Sequence, residues 1–227
     1  PPMATFESLL PDVLPSVHGC SDAMAISALR SAAIDLCVKS EIYQQELDPV
    51  TTVAKIYEYD LEPPKGTVVE KILWAVYKGD KLEPISTALL EKRQPNWRDP
   101  SKFSIPEYFV QQTQSTFWLA PVPNATVVES VILRAVLKPT VTSTTLSDEI
   151  LNDNKDAIVN GALFRLLRTP SKDWTDYSAA QMYGMLYNEG VKDAENKARS
   201  GNTPIARNVK YGGYHSSPFR RRYTQYR

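Results

Sequence analysis

Few side chains in this sequence could act as a base, a nucleophile or a metal ligand near neutral pH. There are two histidines, His18 and His215, and two cysteines, Cys20 and Cys37. His18 lies close enough to Cys20 to suggest a thiolate pair, but no acid at a useful spacing would orient the ring, and packing or solvent roles suit both histidines better. The cysteines have neither zinc spacing nor the number needed for a disulfide framework, so reduced thiols are expected. Asn152-Asp153-Asn154-Lys155-Asp156 resembles a calcium loop in composition. It lacks the alternating acids, the turn glycine and the closing glutamate, so helix capping and a solvated helix face account for it better. Asn124-Ala125-Thr126 fits a glycosylation triplet, and a turn asparagine is the plainer role. No phosphate-cradling glycine loop, nucleophile elbow or metal-binding helix motif occurs. The expectation is a protein that is not an enzyme and needs no cofactor or metal; a hydrolase would require an acidic cluster that no spacing reveals.

Recognition chemistry is concentrated at one end. Residues 201–227 hold six of the 26 basic side chains and none of the 26 acidic ones, so the rest of the chain is left with 20 bases against 26 acids. The basic residues Arg207, Lys210, Arg220, Arg221, Arg222 and Arg227 interleave with Tyr211, Tyr214, Phe219, Tyr223 and Tyr226. Arginine and tyrosine are the side chains most enriched at interface hot spots, so docking of this arm on a protein partner is the preferred reading. Arginines on phosphates and tyrosines stacked on bases give the alternative, a nucleic-acid-binding module. An inert basic end ranks third, because it gives no reason for so many aromatics.

The elements that carry this arm follow from periodicity. Ile26, Leu29, Ala33 and Leu36 repeat at three and four after a Ser21 or Asp22 cap, which predicts a long helix. Ile158, Ala162, Leu163, Leu166 and Leu167 form a second stripe that stops before Thr169-Pro170, since proline disfavours the α conformation in its predecessor. A third runs through Tyr177, Ala180, Gly184, Tyr187, Val191, Ala194 and Ala198, with Ser171 to Trp174 as the hairpin connection. Glycine costs about 1 kcal/mol against alanine inside a helix, so Gly184 implies close backbone approach. Between these helices the chain is rich in valine, threonine, isoleucine and tyrosine. Strands are predicted at Thr51–Tyr59, Thr67–Tyr77, Phe109–Thr113, Thr116–Ala120 and Ala125–Leu137, with a turn at Lys78-Gly79-Asp80-Lys81. Glu83–Leu90 suits a helical turn or an edge strand, and Arg93–Pro100 reads as a loop. The fold class expected is α+β: residues 1–40 and 146–200 form a discontinuous helical bundle, residues 41–145 a β-rich insertion, and residues 201–227 an extended arm. No apolar run is long enough to span a membrane and no leader opens the sequence, so a soluble chain made in the cytoplasm without export is expected.

Several segments together resemble a known family. Gly19-Cys20-Ser21-Asp22, then Ala28-Leu29-Arg30 with Ala32-Ala33 and Asp35-Leu36-Cys37, then Ala157-Ile158-Val159-Asn160-Gly161-Ala162-Leu163 and Lys172-Asp173-Trp174 are similar in order and spacing to the head-to-tail adaptor (connector) proteins of tailed bacteriophages. The likeness covers both ends and skips the middle. It implies a structural virion protein at the head-tail interface, a homo-oligomeric ring, usually of twelve copies, beneath the portal protein. It implies further that the C-terminal arm docks on the portal, that the opposite face receives a tail or nozzle protein, and that genome DNA passes through the central channel. The surface of the β-rich middle would be free to meet tail components or ring neighbours.

Overall fold

A computed structural model describes residues 2–99 and 102–201. Strand β1 (Met3–Thr5) leads into a run of short turns containing helix α1 (Leu10–Val13), kept short by Pro11 and Pro15. Phe6, Leu9, Val13 and Val17 are nevertheless buried, and this segment closes one flank of the core. Helix α2 (Asp22–Ser40) starts at Ser21, whose hydroxyl accepts the Met24 N–H (3.4 Å). It ends where Glu41 turns left-handed (φ 53°) and returns its N–H to the Cys37 carbonyl.

Strands β2 (Gln44–Glu46), β3 (Val50–Thr52), β4 (Glu58–Asp60), β5 (Thr67–Tyr77), β6 (Asp80–Lys81) and β7 (Glu83–Pro84) follow. Helix α3 (Thr87–Arg93) is capped by the Ser86 hydroxyl, which accepts the Leu89 N–H. Then come β8 (Tyr108–Gln111), β9 (Thr116–Ala120), β10 (Val127–Pro139) and β11 (Thr145–Ser147), and helices α4 (Asp148–Asp153), α5 (Lys155–Leu167) and α6 (Tyr177–Ser200). The protein is therefore mixed α and β, with six helices and three sheets among the described residues. A two-stranded pair joins β1 to β11. A five-stranded sheet runs β2-β10-β5-β6, with β3 also on β10, and a four-stranded sheet runs β4-β9-β8-β7.

One strand expectation needs correction, and one open reading is resolved. Thr51–Tyr59 is not one strand but β3 and β4, which belong to different sheets. The break wraps around the Tyr59 hydroxyl, which donates to the Ile56 carbonyl (2.7 Å) and accepts the Val53 N–H (3.2 Å), while Lys55 takes a left-handed φ of 71°. Glu83–Leu90 divides likewise: Glu83 and Pro84 pair with β8, and Ser86 turns from a candidate edge residue into a helix cap. The Lys78-Gly79 signal is a two-residue hairpin with positive φ at both residues, the twist that matches antiparallel strands.

Helix α2 lies at the centre. It packs on α5 and α6 and, on another side, on β10. One continuous core therefore runs from Leu29, Ala32 and Leu36 to Leu133 and Leu137 of the sheet and to Leu163 and Tyr187 of the last two helices. Ile85, Leu90, Trp97, Val110, Ala120 and Val122 make a separate, smaller core beneath the four-stranded sheet. Gln111 joins the sheets. The β5 register against β10 slips between Ile72 and Val69, which frees backbone groups there; the Gln111 carboxamide accepts the Ile72 N–H (2.8 Å) and donates to the Glu70 carbonyl (3.3 Å).

Candidate assembly surface

The arm is launched by α6, so the site begins with what fixes that helix. Asp176 starts it: its carboxylate accepts the N–H groups of Ser178 and Ala179 (both 3.0 Å), and these bonds, Ala179 foremost, hold its acidity above that of a free aspartate. The preceding turn is closed by Thr175, whose hydroxyl donates to the Thr169 carbonyl (2.6 Å). Small residues then bring α6 against its neighbours. A Cβ on Gly184 would sit 2.9 Å from the Phe164 ring, one on Gly190 2.7 Å from the Ala157 methyl, and one on Gly161 of α5 2.8 Å from the Tyr187 ring and 2.9 Å from Ala32. The close approach implied by Gly184 is thus made within the chain.

A polar clamp crosses this apolar contact. Tyr187 donates its hydroxyl to Asp35 of α2 (2.9 Å), and Asp35 also meets Lys39 (2.8 Å) and Arg165 of α5 (3.5 Å). Burial, with the Asp35 carboxylate second, pushes the Tyr187 phenol far above its usual pKa and keeps it a proton donor. Two segments that carry the adaptor resemblance meet here, since Ala32 and Gly161 face each other across the α2–α5 contact. Gly19 likewise lies against Trp174, with 3.9 Å between a Cβ built on the glycine and the indole ring.

Among the described residues, the other face of α6 has no partner. Met182, Met185 and Leu186 are exposed, as is Tyr177, which the periodicity had placed in the buried seam; it stands in the first turn of the helix and is 60% exposed. From Tyr177 to Asn188 α6 carries no charged side chain. Such a patch on an exposed helix is a surface signal rather than a packing one. Met182, Met185 and Leu186 also stand three and four apart, but they span little more than one turn, whereas the seam repeats along the whole helix and drew the sequence reading.

Cys20 and Cys37 are free, and burial pushes both thiols up, Cys37 to about 12. His18 is exposed beside Trp174 and Asp173. Asp153 pairs with Lys197 and Lys155 with Asp12, so the acidic stretch before α5 links elements together. No group of three or more His, Cys, Asp or Glu among the described residues could hold a metal ion. No helix among them is long and apolar enough to cross a membrane. The sequence-identified partner-binding residues Arg207, Lys210, Tyr211, Tyr214, Phe219, Arg220, Arg221, Arg222, Tyr223, Tyr226 and Arg227 lie outside the described residues. The structure does place their point of departure, Gly201, in a cavity of about 370 Å³ whose walls include Gln44, Gln45, Arg134 and Asp153.

A mixed α and β subunit whose last helix presents an uncharged, exposed face is the class these features define. The chain belongs to the SU10 adaptor protein family, whose sequence profile matches residues 4–208, and so is a structural head-tail adaptor of a bacteriophage virion. The match takes in the helices and both large sheets and ends within the arm. No curated protein matches the chain.

Proposed function

We propose that the protein is a ring-forming subunit that joins the portal to the tail or nozzle, docks on the portal through its C-terminal arm and surrounds the channel through which DNA leaves the head. The observation that carries this reading is the family match over residues 4–208. Residues 1–40 and 146–200 form the helical frame in this reading, and residues 41–145 are an inserted β-rich module that offers surface to tail components or ring neighbours. The uncharged outer face of α6 supports contact with a second copy, because Met182, Met185 and Leu186 are exposed on it without a partner among the described residues. The basic-aromatic arm supports docking on an acidic partner surface.

A full-length variant carrying Arg220→Glu, Arg221→Glu and Arg222→Glu tests the docking step. Pull-down of portal by the parent chain, lost in the variant, is the expected result; undiminished capture by the variant overturns arm docking. If the parent chain captures no portal but shifts duplex DNA at low protein concentration, and does so less as salt rises, the nucleic-acid reading replaces it.

A further inference from the structure

We propose that the proximal half of the arm, Arg207 to Tyr214, is seated on its own body, in an acidic groove along the outer edge of the five-stranded sheet. Its distal half, from Phe219, is left free for another molecule. This inference does not depend on what the distal half binds.

The groove has a volume of about 280 Å³. Its floor is apolar, formed by Leu47, Leu61 and Leu133, all at most 5% exposed, and its walls carry the exposed carboxylates of Asp48, Asp60 and Glu62. Glu46 and Glu58 lie close by in the chain. Among the described residues none of these five acids makes an ion pair, although eight ion pairs are formed elsewhere. Uncompensated acids around a leucine floor ask for a ligand with positive charge and a flat apolar body. A metal ion does not fit, since the carboxylates are not gathered closely enough to hold one.

The arm has that chemistry and begins in the right place. Its first basic residues, Arg207 and Lys210, are followed by Tyr211 and Tyr214. Gly201 shares a cavity with Gln44 and Gln45 of β2, and Asp48 lies three residues beyond Gln45, about 10 Å along the strand. From Gly201 an extended chain covers about 20 Å to Arg207 and about 30 Å to Lys210, two to three times the step along the strand from Gln45 to Asp48. The path is also an open sheet edge. Both β2 and β3 pair with β10 on one side, and no described strand pairs with the other. An added strand satisfies such an edge with main-chain hydrogen bonds while its side chains fill neighbouring pockets. Covalent attachment close by sets an effective concentration in the millimolar range, so contacts too weak to bind a separate peptide are sufficient here.

Lys210 is the only amine side chain in residues 202–227, which makes zero-length carbodiimide coupling a direct test on the full chain. Equal amounts of ¹⁴N- and ¹⁵N-labelled protein are mixed, coupled and mapped by mass spectrometry. Expected are amides from Lys210 to Asp48, Asp60 or Glu62, with both halves of each pair carrying the same label and the yield falling severalfold at high salt. Coupling to carboxylates elsewhere, or no coupling, overturns the seat; mixed-label pairs overturn the assignment to the same chain and give the groove to a neighbour's arm. As a second measurement, the variant Asp48→Asn, Asp60→Asn, Glu62→Gln is compared with the parent by hydrogen exchange. Exchange at least tenfold faster over Gln45 to Val50 is expected, and unchanged exchange there overturns the proposal.

Discussion

The helical layer and the four-stranded sheet solve the same packing problem with opposite materials. Around α2, α5 and α6 one side of each close contact is bare glycine backbone: Gly161 receives the Tyr187 ring and the Ala32 methyl, Gly184 the Phe164 ring and Gly190 the Ala157 methyl, so closely that an added methyl group has no room. Beneath the outlying sheet it is made by rings. Tyr57 meets Trp97 and Trp118 edge-on at 5.2 and 5.7 Å, the two tryptophans lie 5.7 Å apart, and Arg98 covers all three, nearest to Trp97 at 4.6 Å. Backbone contact fixes geometry tightly and tolerates almost no change of side chain. Contact through large rings holds a module in place while leaving its loops free to vary. The first suits the part that must aim α6 and the arm, and the second suits a part that presents surface.

Removing the central ring should break the comparison most visibly. Trp97 is 4% exposed, and Trp97→Ala removes the largest member of a small core at a cost of about 3–5 kcal/mol. The opposite face of this sheet packs into the main core through Tyr59, Phe109, Phe117 and Leu119, which the substitution leaves in place, so the loss should be greatest on the aromatic side. Hydrogen exchange of β7, β8 and β9 should rise steeply while α2, α5 and α6 keep their protection. If all elements exchange together, the two cores are one cooperative unit and the contrast drawn above fails.

The reverse experiment adds a single methyl to the helical layer. In Gly161→Ala the new Cβ would lie 2.8 Å from the Tyr187 ring and 2.9 Å from Ala32, so α5 must move away from both neighbours. Higher helix propensity offsets about 1 kcal/mol of that strain, and a net loss of about 1–3 kcal/mol is expected in denaturant midpoints. Equal or greater stability than the parent would show that the helices have slack.

How much of this contrast could be read from sequence also divides along the same line. The three long helices were legible because their seams repeat over about three turns or more, and Pro170 marked where one of them stops. Strands Thr67–Tyr77 and Thr116–Ala120 were legible because they are bounded by turn signals. The division of Thr51–Tyr59 was not, because the event that splits it is one tyrosine hydroxyl bonding to two backbone groups, which leaves no periodic trace. The aromatic core was equally hidden: Tyr57, Trp97 and Trp118 come from three separated segments, one of them an apparent loop. The acidic groove joins Asp48 to Asp60 and Glu62 only once the chain has turned at Lys55. By contrast, the charge imbalance of residues 201–227 is visible in composition alone.

The finest test of the helical layer is the hydrogen bond between Tyr187 and Asp35. Tyr187→Phe keeps the ring against Gly161 but removes the hydrogen bond to Asp35, at a cost of about 1 kcal/mol near neutral pH. Its effect should change with pH in a way that a packing defect would not. The Tyr187 phenol has its folded pKa raised far above the unfolded value of about 10, so above that pH the folded state holds a proton that the unfolded state has lost. Stability is therefore fully present below the unfolded pKa and drains away as pH rises. Cys37 adds a similar slope that begins near its ordinary 9.0 and extends to about 12. The parent protein should be stable to about pH 9 and then weaken. The phenylalanine variant lacks the phenol's share of that slope, so the gap between the two proteins should narrow above pH 10. Parallel curves across this range would mean that the clamp contributes nothing through its proton, leaving the helices held by shape alone.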